Sequence, residues 1–402
     1  MRQLRMMTWE QVSARRLARA GLAEPVKAAA TGAATAAGAG GVAGVAAAMC
    51  GAHAQVLSAA ELSVAMRIEG ATREAVRDAL WRERTVVKTY GPRGTVHLLP
   101  TADLPLWTGA LSALPTGSGN GGGGVTGALL TPGQAEEVVA AIADALADAE
   151  LTVDELTEAV AERAGSWAAD PVMEAFQTKW PRWRAATALA AHRGALCFGA
   201  NRGRKVTYTN PHRWLPGFAP QAGAEAVAAL VDRYLRAYGP ATPQHFAKWL
   251  AAPVGWAGAQ FERLAGEGAI EEVVVEGAPG WIVAGDTDVP DEPPSGVRLL
   301  PYFDAYVIAG QPRDLLFPGR AYERALAGGQ AGNYPVLLID GTAAGVWHQR
   351  RSGRRLHVTV EPLQRLTASR QRELAAQVER VGEILEARPE LTVGEVTVGA
   401  HA

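Results

Sequence analysis

Three times along this chain a helix-forming stretch runs into two β-branched-rich segments joined through Gly or Pro. No other feature restricts the fold as much. The paired segments are residues 85–100, 194–209 and 268–284, and the helical stretches before them are 72–84, 182–193 and 256–266. Short apolar runs separated by turn residues predict β-hairpins. A helix followed by a two-stranded wing is the unit of a winged helix-turn-helix, a module that docks on duplex DNA. The chain is therefore expected to be α+β, with three tandem winged helix-turn-helix modules. A texture change after the Pro-rich stretch 288–296 predicts a fourth part. There, strand-like runs at 297–308, 335–339, 345–348 and 356–360 suggest a small β-barrel or compact sheet, closed by a helix over 368–387. The expected division is 1–116, 125–215, 216–290 and 297–402.

A length of 402 residues accommodates these parts, each with its own core. Apolar residues make up 48% and charged residues 20%, as in soluble globular proteins. The net charge of −2 excludes a global pull toward nucleic acid, so any DNA affinity must come from segregated charge. Such segregation is visible. The first wing carries Lys88 and Arg93; the second carries Arg202, Arg204 and Lys205. Arg67, Arg73 and Arg77 lie on or beside the helix before the first wing, with Arg82 and Arg84. The third wing is acidic (Glu271, Glu272, Glu276) and reads as facing protein or solvent. Arg182 and Arg184 interleave with Trp180 and Trp183, whose helical spacing predicts core positions.

Thr8 with Gln11, and Thr152 with Glu155, have the spacing of capping boxes; Thr131-Pro132 and Thr242-Pro243 mark further helix starts. Residues 24–41 form a low-complexity Thr/Gly/Ala stretch expected to be a loop, and 117–124 a flexible connection. The latter contains Gly-x-Gly-x-x-Gly, but the strand and helix that a dinucleotide site needs are missing from its flanks. Cys50 and Cys197 are the only cysteines and read as buried apolar residues. His97, His212, His245 and His357 lack metal-ligand spacing. No metal and no cofactor are expected. No apolar signal core follows Arg2 and Arg5, and the Ala/Gly tract 28–48 is too weakly hydrophobic for a membrane span. A cytoplasmic monomer without membrane contact is expected.

The segment with most chemical potential is Gly51-Ala52-His53-Ala54-Gln55. Two polar side chains separated by one small residue lie on the same side of an extended backbone. Neutral His53 offers a ring nitrogen that accepts from water, and Gln55 a carbonyl acceptor with an amide donor. The alternative is that both merely satisfy backbone groups between helices. A second segment, Arg350-Arg351-Ser352-Gly353-Arg354-Arg355, reads as a hairpin with a cationic tip suited to phosphates. Asp304, between Phe303 and Tyr306, reads as a structural hydrogen-bonding group.

Together with Arg93-Gly94-Thr95-Val96-His97-Leu98-Leu99, Leu300-Pro301-Tyr302-Phe303-Asp304-Ala305-Tyr306 and Gly345-Val346-Trp347, the His53 segment resembles the AlkZ-like winged-helix DNA glycosylases. That family includes crosslink-unhooking enzymes of antibiotic self-resistance. Its Gln-apolar-Gln or Gln-apolar-Asp motif falls on His53-Ala54-Gln55, with His in place of the first Gln. The resemblance implies a monofunctional DNA glycosylase that excises N-alkylated purines, including bulky adducts or interstrand crosslinks, from double-stranded DNA by water attack on the anomeric carbon. It implies His53 and Gln55 as catalytic residues. The clustering of basic charge, rather than the resemblance, marks as DNA-contacting Arg67, Arg73, Arg77, Lys88, Arg93, Arg182, Arg202, Arg204, Lys205, Arg350, Arg351, Arg354 and Arg355. Two other readings of the residues stay open: a non-catalytic DNA-binding regulator, which needs no His53 or Gln55, and a protein whose wings bind protein.

Overall fold

The structure, a computed structural model, describes residues 4–27, 41–115, 123–175, 178–326 and 328–400. Most of the expected loop at 24–41 and of the glycine-rich connection at 117–124 lies outside them. The fold is mixed α/β. The chain divides into two compact units: Met1–Ala79 with Asp232–His245 and Arg263–Ala402, and Leu80–Val231 with Phe246–Glu262.

In the first unit the helix Trp9–Arg19 starts at the capping box read from the sequence. Thr8 Oγ1 accepts from the Gln11 amide at 3.2 Å, and the Thr8 amide donates to Gln11 Oε1 at 3.0 Å. Before it, Arg5–Met7 pairs in parallel with Ile270–Val275, which pairs antiparallel with Ala278–Val283. The acidic third hairpin is thus built into a protein sheet, and Glu276 accepts the Trp9 amide at the start of the helix. A small core of Met7, Val12, Val273 and Ile282 lies against this sheet.

The helix Leu57–Ala65 is buried on every side from Ala59 to Ala65. The larger sheet of the unit has five strands in the order Val297–Leu300, Val336–Ile339, Thr342–Ser352, Arg355–Pro362, Arg388–Val393. Neighbours are antiparallel except the last pair, which is parallel. The helix Ala368–Leu385 makes that parallel connection and ends on Glu386 in the left-handed region, at φ 52°. Leu300, Val307, Leu316, Phe317, Val336 and Val346 form the core beside this sheet, joined by Leu17 and Leu22.

Two expectations for this region need correction. The run 297–308 is strand only as far as Leu300; after Pro301 the Asp304 side chain accepts from the Tyr306 amide at 3.0 Å and starts the short helix Ala305–Ala309. The helix expected over 368–387 is followed by a strand. Pro389 sits within it, on the sheet's outermost strand, where a missing backbone donor is tolerated.

In the second unit the first hairpin forms as expected, Val86–Tyr90 against Val96–Pro100. Arg93 and Gly94 both sit at positive φ in its turn (61° and 64°). The second hairpin is shorter than its sequence suggests. Cys197–Phe198 pairs with Thr207–Thr209, which also pairs with Glu150–Thr152, and a lone bridge joins Arg202 to Lys205. An additional hairpin, Pro171–Ala175 with Thr178–Pro181, was not anticipated. Capping boxes open the helices Pro132–Leu146 and Val153–Ala164. The stretch 182–193 is a 3-10 turn, Arg182–Ala186, running into the helix Thr187–His192. Trp183 is buried as expected; Trp180, at 39% exposure, is not in the core and lies under the Arg184 guanidinium at 3.8 Å.

Candidate active site

The helix Val42–Ala48 ends at Met49, after which Cys50 and Gly51 adopt positive φ (53° and 92°) and reverse the chain. Their amides are tied back, Cys50 to the Ala47 carbonyl and Gly51 to the Ala46 carbonyl, each at 2.9 Å. The Tyr238 hydroxyl donates to the Met49 carbonyl. The backbone then runs extended through Ala52–His53 and turns into the helix Leu57–Ala65. Ala52 and Ala54 are fully buried, while His53 is 8% exposed and Gln55 is exposed. The strand ends at His53, and Gln55 lies at the bend that follows. The small alanines let the segment lie close against the core.

His53 stacks on Phe303, ring centroids 4.6 Å apart and planes 30° apart. Behind Phe303, Asp304 is fully buried and bound on both oxygens. Arg67 donates to Asp304 Oδ1 at 2.8 Å and to Oδ2 at 2.9 Å, and Ser63 Oγ donates to Oδ2 at 2.6 Å. Asp304 is therefore the structural group read from the sequence. Arg67 also donates to the Ser63 and Ala20 carbonyls. At 0% exposure it does not reach the surface, which corrects its assignment as a DNA contact. A cation next to an apolar helix looks solvent-facing in sequence; here a carboxylate 237 residues away holds it inside. Around the same core, burial pushes the Tyr306, Tyr234 and Tyr238 hydroxyls up, so all three stay protonated donors. Burial pushes the Arg16 guanidinium down; it donates to the Gln311 and Pro240 carbonyls and lies 5.5 Å from the Trp9 ring centre.

The remaining basic candidates fall into two groups. Many are engaged within the fold. Arg73 pairs with Glu386 at 3.0 Å and Arg77 with buried Glu61 at 2.7 Å. Arg182 donates to the Leu129 carbonyl at 3.1 Å. Arg93 donates to the Trp249 carbonyl, and Lys88 lies 4.5 Å over the Phe198 ring. Arg202 pairs with Glu155 at 3.0 Å and Lys205 with Asp154 at 2.8 Å. Arg351 donates to the Leu385 carbonyl at the end of the helix Ala368–Leu385, and Arg355 lies 3.4 Å from Glu390. By contrast Arg204, Arg350 and Arg354 are exposed, and their side chains have no hydrogen-bond or ion-pair partner among the described residues.

The cationic hairpin itself forms, Thr342–Ser352 against Arg355–Pro362 with its turn at Gly353. Strand register places Arg350, His357 and Glu390 in one row, and Ser352, Arg355 and Arg388 in the next, on the same sheet face. Glu390 takes His357 Nδ1 at 3.1 Å. Burial and the Arg350 charge hold His348 below the usual imidazole range, so it adds no charge near neutral pH. Arg388 is a member of this face that the sequence reading missed; Pro389 concealed the strand that carries it. Among the described residues no group of three or more His, Cys, Asp or Glu side chains converges as a metal site. Nor is any helix of the described residues long and apolar enough to cross a membrane.

The sequence model of the family described as "DNA glycosylase AlkZ-like" matches residues 46–384, a span that includes the His53 segment, the Asp304 segment and the cationic hairpin. The "Interstrand DNA cross-link repair glycosylase" of Streptomyces sahachiroi is 30% identical over 318 residues, 74% of this chain and 80% of that protein. The solved structure of Streptomyces sahachiroi DNA glycosylase AlkZ superposes with a TM-score of 0.76 at 26% identity, covering 97% of this chain and all of that one. The chain belongs to the AlkZ-like DNA glycosylase family.

Proposed function

We propose that His53 and Gln55 place the water that releases an N-alkylated purine from duplex DNA. The observation that carries this reading is that fully buried Ala52 and Ala54 flank the nearly buried His53, with exposed Gln55 following at the bend beyond the strand. An N-alkylated purine is a cationic leaving group, so strong acid catalysis is unnecessary. Breaking its N-glycosidic bond leaves an oxocarbenium-like sugar, as in glycoside hydrolysis. What the protein must supply is a held water and acceptors facing the developing positive charge. Neutral His53 accepts a hydrogen bond from the water and takes its proton as attack proceeds; the Gln55 carbonyl accepts a second bond. Imidazolium does neither, and it repels the cationic sugar.

Crosslinked and bulky lesions are included in the proposed substrate range, by likeness to the Streptomyces sahachiroi enzyme. In the same reading the three hairpins act as wings of the winged-helix modules 1–116, 125–215 and 216–290, the acidic third facing protein or solvent. Arg204, Arg350 and Arg354, with the partly engaged Arg73, Arg77, Lys88, Arg93, Arg182, Arg202, Lys205, Arg351 and Arg355, would meet phosphates. The regulator alternative is not favoured by the family match.

The test is incubation with duplexes carrying 7-methylguanine or a purine–purine crosslink, followed by alkaline cleavage at abasic sites. Strand breaks at the lesion are expected on at least one of them, with a rate that falls as pH drops through the imidazole titration. Binding without base release on both duplexes would contradict the reading.

A further inference from the structure

Phe303 is a bulky residue in the left-handed region, at φ 55°. Such a conformation is strained for a residue with a Cβ and persists only where surroundings over-determine it. Here they do. The Phe303 amide donates to the Gly332 carbonyl at 3.0 Å. Gly332 is itself at φ 95°, and a Cβ there would come within 3.0 Å of Ile308 and 3.3 Å of the Phe303 Cα. On the other side, Asp304 is fixed by Arg67 and Ser63 and caps its own helix. The strained backbone and the ion pair behind it deliver one thing to the site: an aromatic face against the His53 ring, at 4.6 Å and 30°.

An imidazole has two side-chain torsions, and the second is broad and weakly held. A stacked aromatic neighbour restricts it, since rotating the ring out of an offset stack in a packed site gives up that contact. An in-plane nitrogen lone pair then points along one direction, as a water acceptor requires. We infer that Phe303 is a positioning residue for base release, holding the plane of the His53 ring through a stack that its left-handed backbone and the Arg67–Asp304 pair keep in place. This rests on the reading that His53 takes part in base release.

The experiment compares single-turnover excision and DNA affinity for wild type, Phe303→Leu, Phe303→Tyr, Phe303→Gly and His53→Ala, and for Phe303→Leu in the His53→Ala background. Phe303→Leu keeps apolar volume without an aromatic face. Phe303→Gly removes the ring while relieving the backbone, and serves if Phe303→Leu folds poorly. Excision by Leu and Gly variants is expected to fall roughly 10- to 100-fold, with DNA affinity unchanged and with Phe303→Tyr near wild type. In the His53→Ala background Phe303→Leu is expected to add nothing further. A folded Leu or Gly variant with wild-type excision, or a Leu effect undiminished without the imidazole, overturns the positioning role while leaving His53's role standing. Wild-type excision by His53→Ala overturns the function reading itself, and the positioning role with it.

Discussion

At the scale of single residues, buried charge is handled by partners brought from far along the chain. Arg67 and Asp304 are both at 0% exposure, bound at 2.8 Å. Removing one member of such a pair leaves the other charge uncompensated in the core. Asp304→Asn is therefore expected to cost about 3–5 kcal/mol, measured by urea unfolding. The double variant Arg67→Met/Asp304→Asn is expected to cost less than the sum of the two single changes. His192 behaves differently: burial holds its ring neutral, with a pKa lowered to about 4. The unfolded chain takes up a proton on this ring below about pH 6.5, whereas the native ring waits until about 4. Between those values the unfolded state binds more protons, so native stability falls as pH is lowered through that window. The loss from this one residue is roughly 3 kcal/mol. His192→Gln is expected to flatten the difference in unfolding free energy between pH 7 and pH 4.5; an unchanged difference would assign the acid sensitivity elsewhere.

At the scale of elements, the hairpin Thr342–Ser352/Arg355–Pro362 separates arginines by strand alternation. Arg351 is bound to the Leu385 carbonyl, whereas the exposed side chains of Arg350 and Arg354 have no hydrogen-bond or ion-pair partner among the described residues. Arg350→Ala/Arg354→Ala is expected to lower the slope of log affinity against log salt by about 2, near 0.9 for each phosphate no longer neutralised. Arg351→Ala should instead lower thermal stability with a smaller effect on the slope. An unchanged slope in the double variant would place the DNA footprint elsewhere. The hairpin was legible in the sequence because Ser352-Gly353 separates two arginine pairs between apolar strands. The capping boxes at Thr8 and Thr152 were legible because cap and partner lie three residues apart. What depends on distant partners was not. Arg67 reads as a surface cation until Asp304 is placed beside it, and Phe303 reads as part of an aromatic run until His53 meets its face. The strand Arg388–Val393 was missed because Pro389 argues against a strand unless the strand is known to lie at an edge.

At the scale of the whole molecule, a chain of net charge −2 has to separate DNA binding from its overall charge. In the proposed function it does so by pairing many of its cations within the fold and leaving a few without an ion-pair partner among the described residues. In the proposed function the chemistry is separate again, since neither His53 nor Gln55 carries a fixed positive charge. Affinity and catalysis should therefore come apart on mutation. The most direct measurement is single-turnover base release from a 7-methylguanine or crosslinked duplex by His53→Ala/Gln55→Ala, with DNA affinity recorded on the same preparation. Affinity close to wild type with base release lost is the predicted result; base release at the wild-type rate would contradict the account.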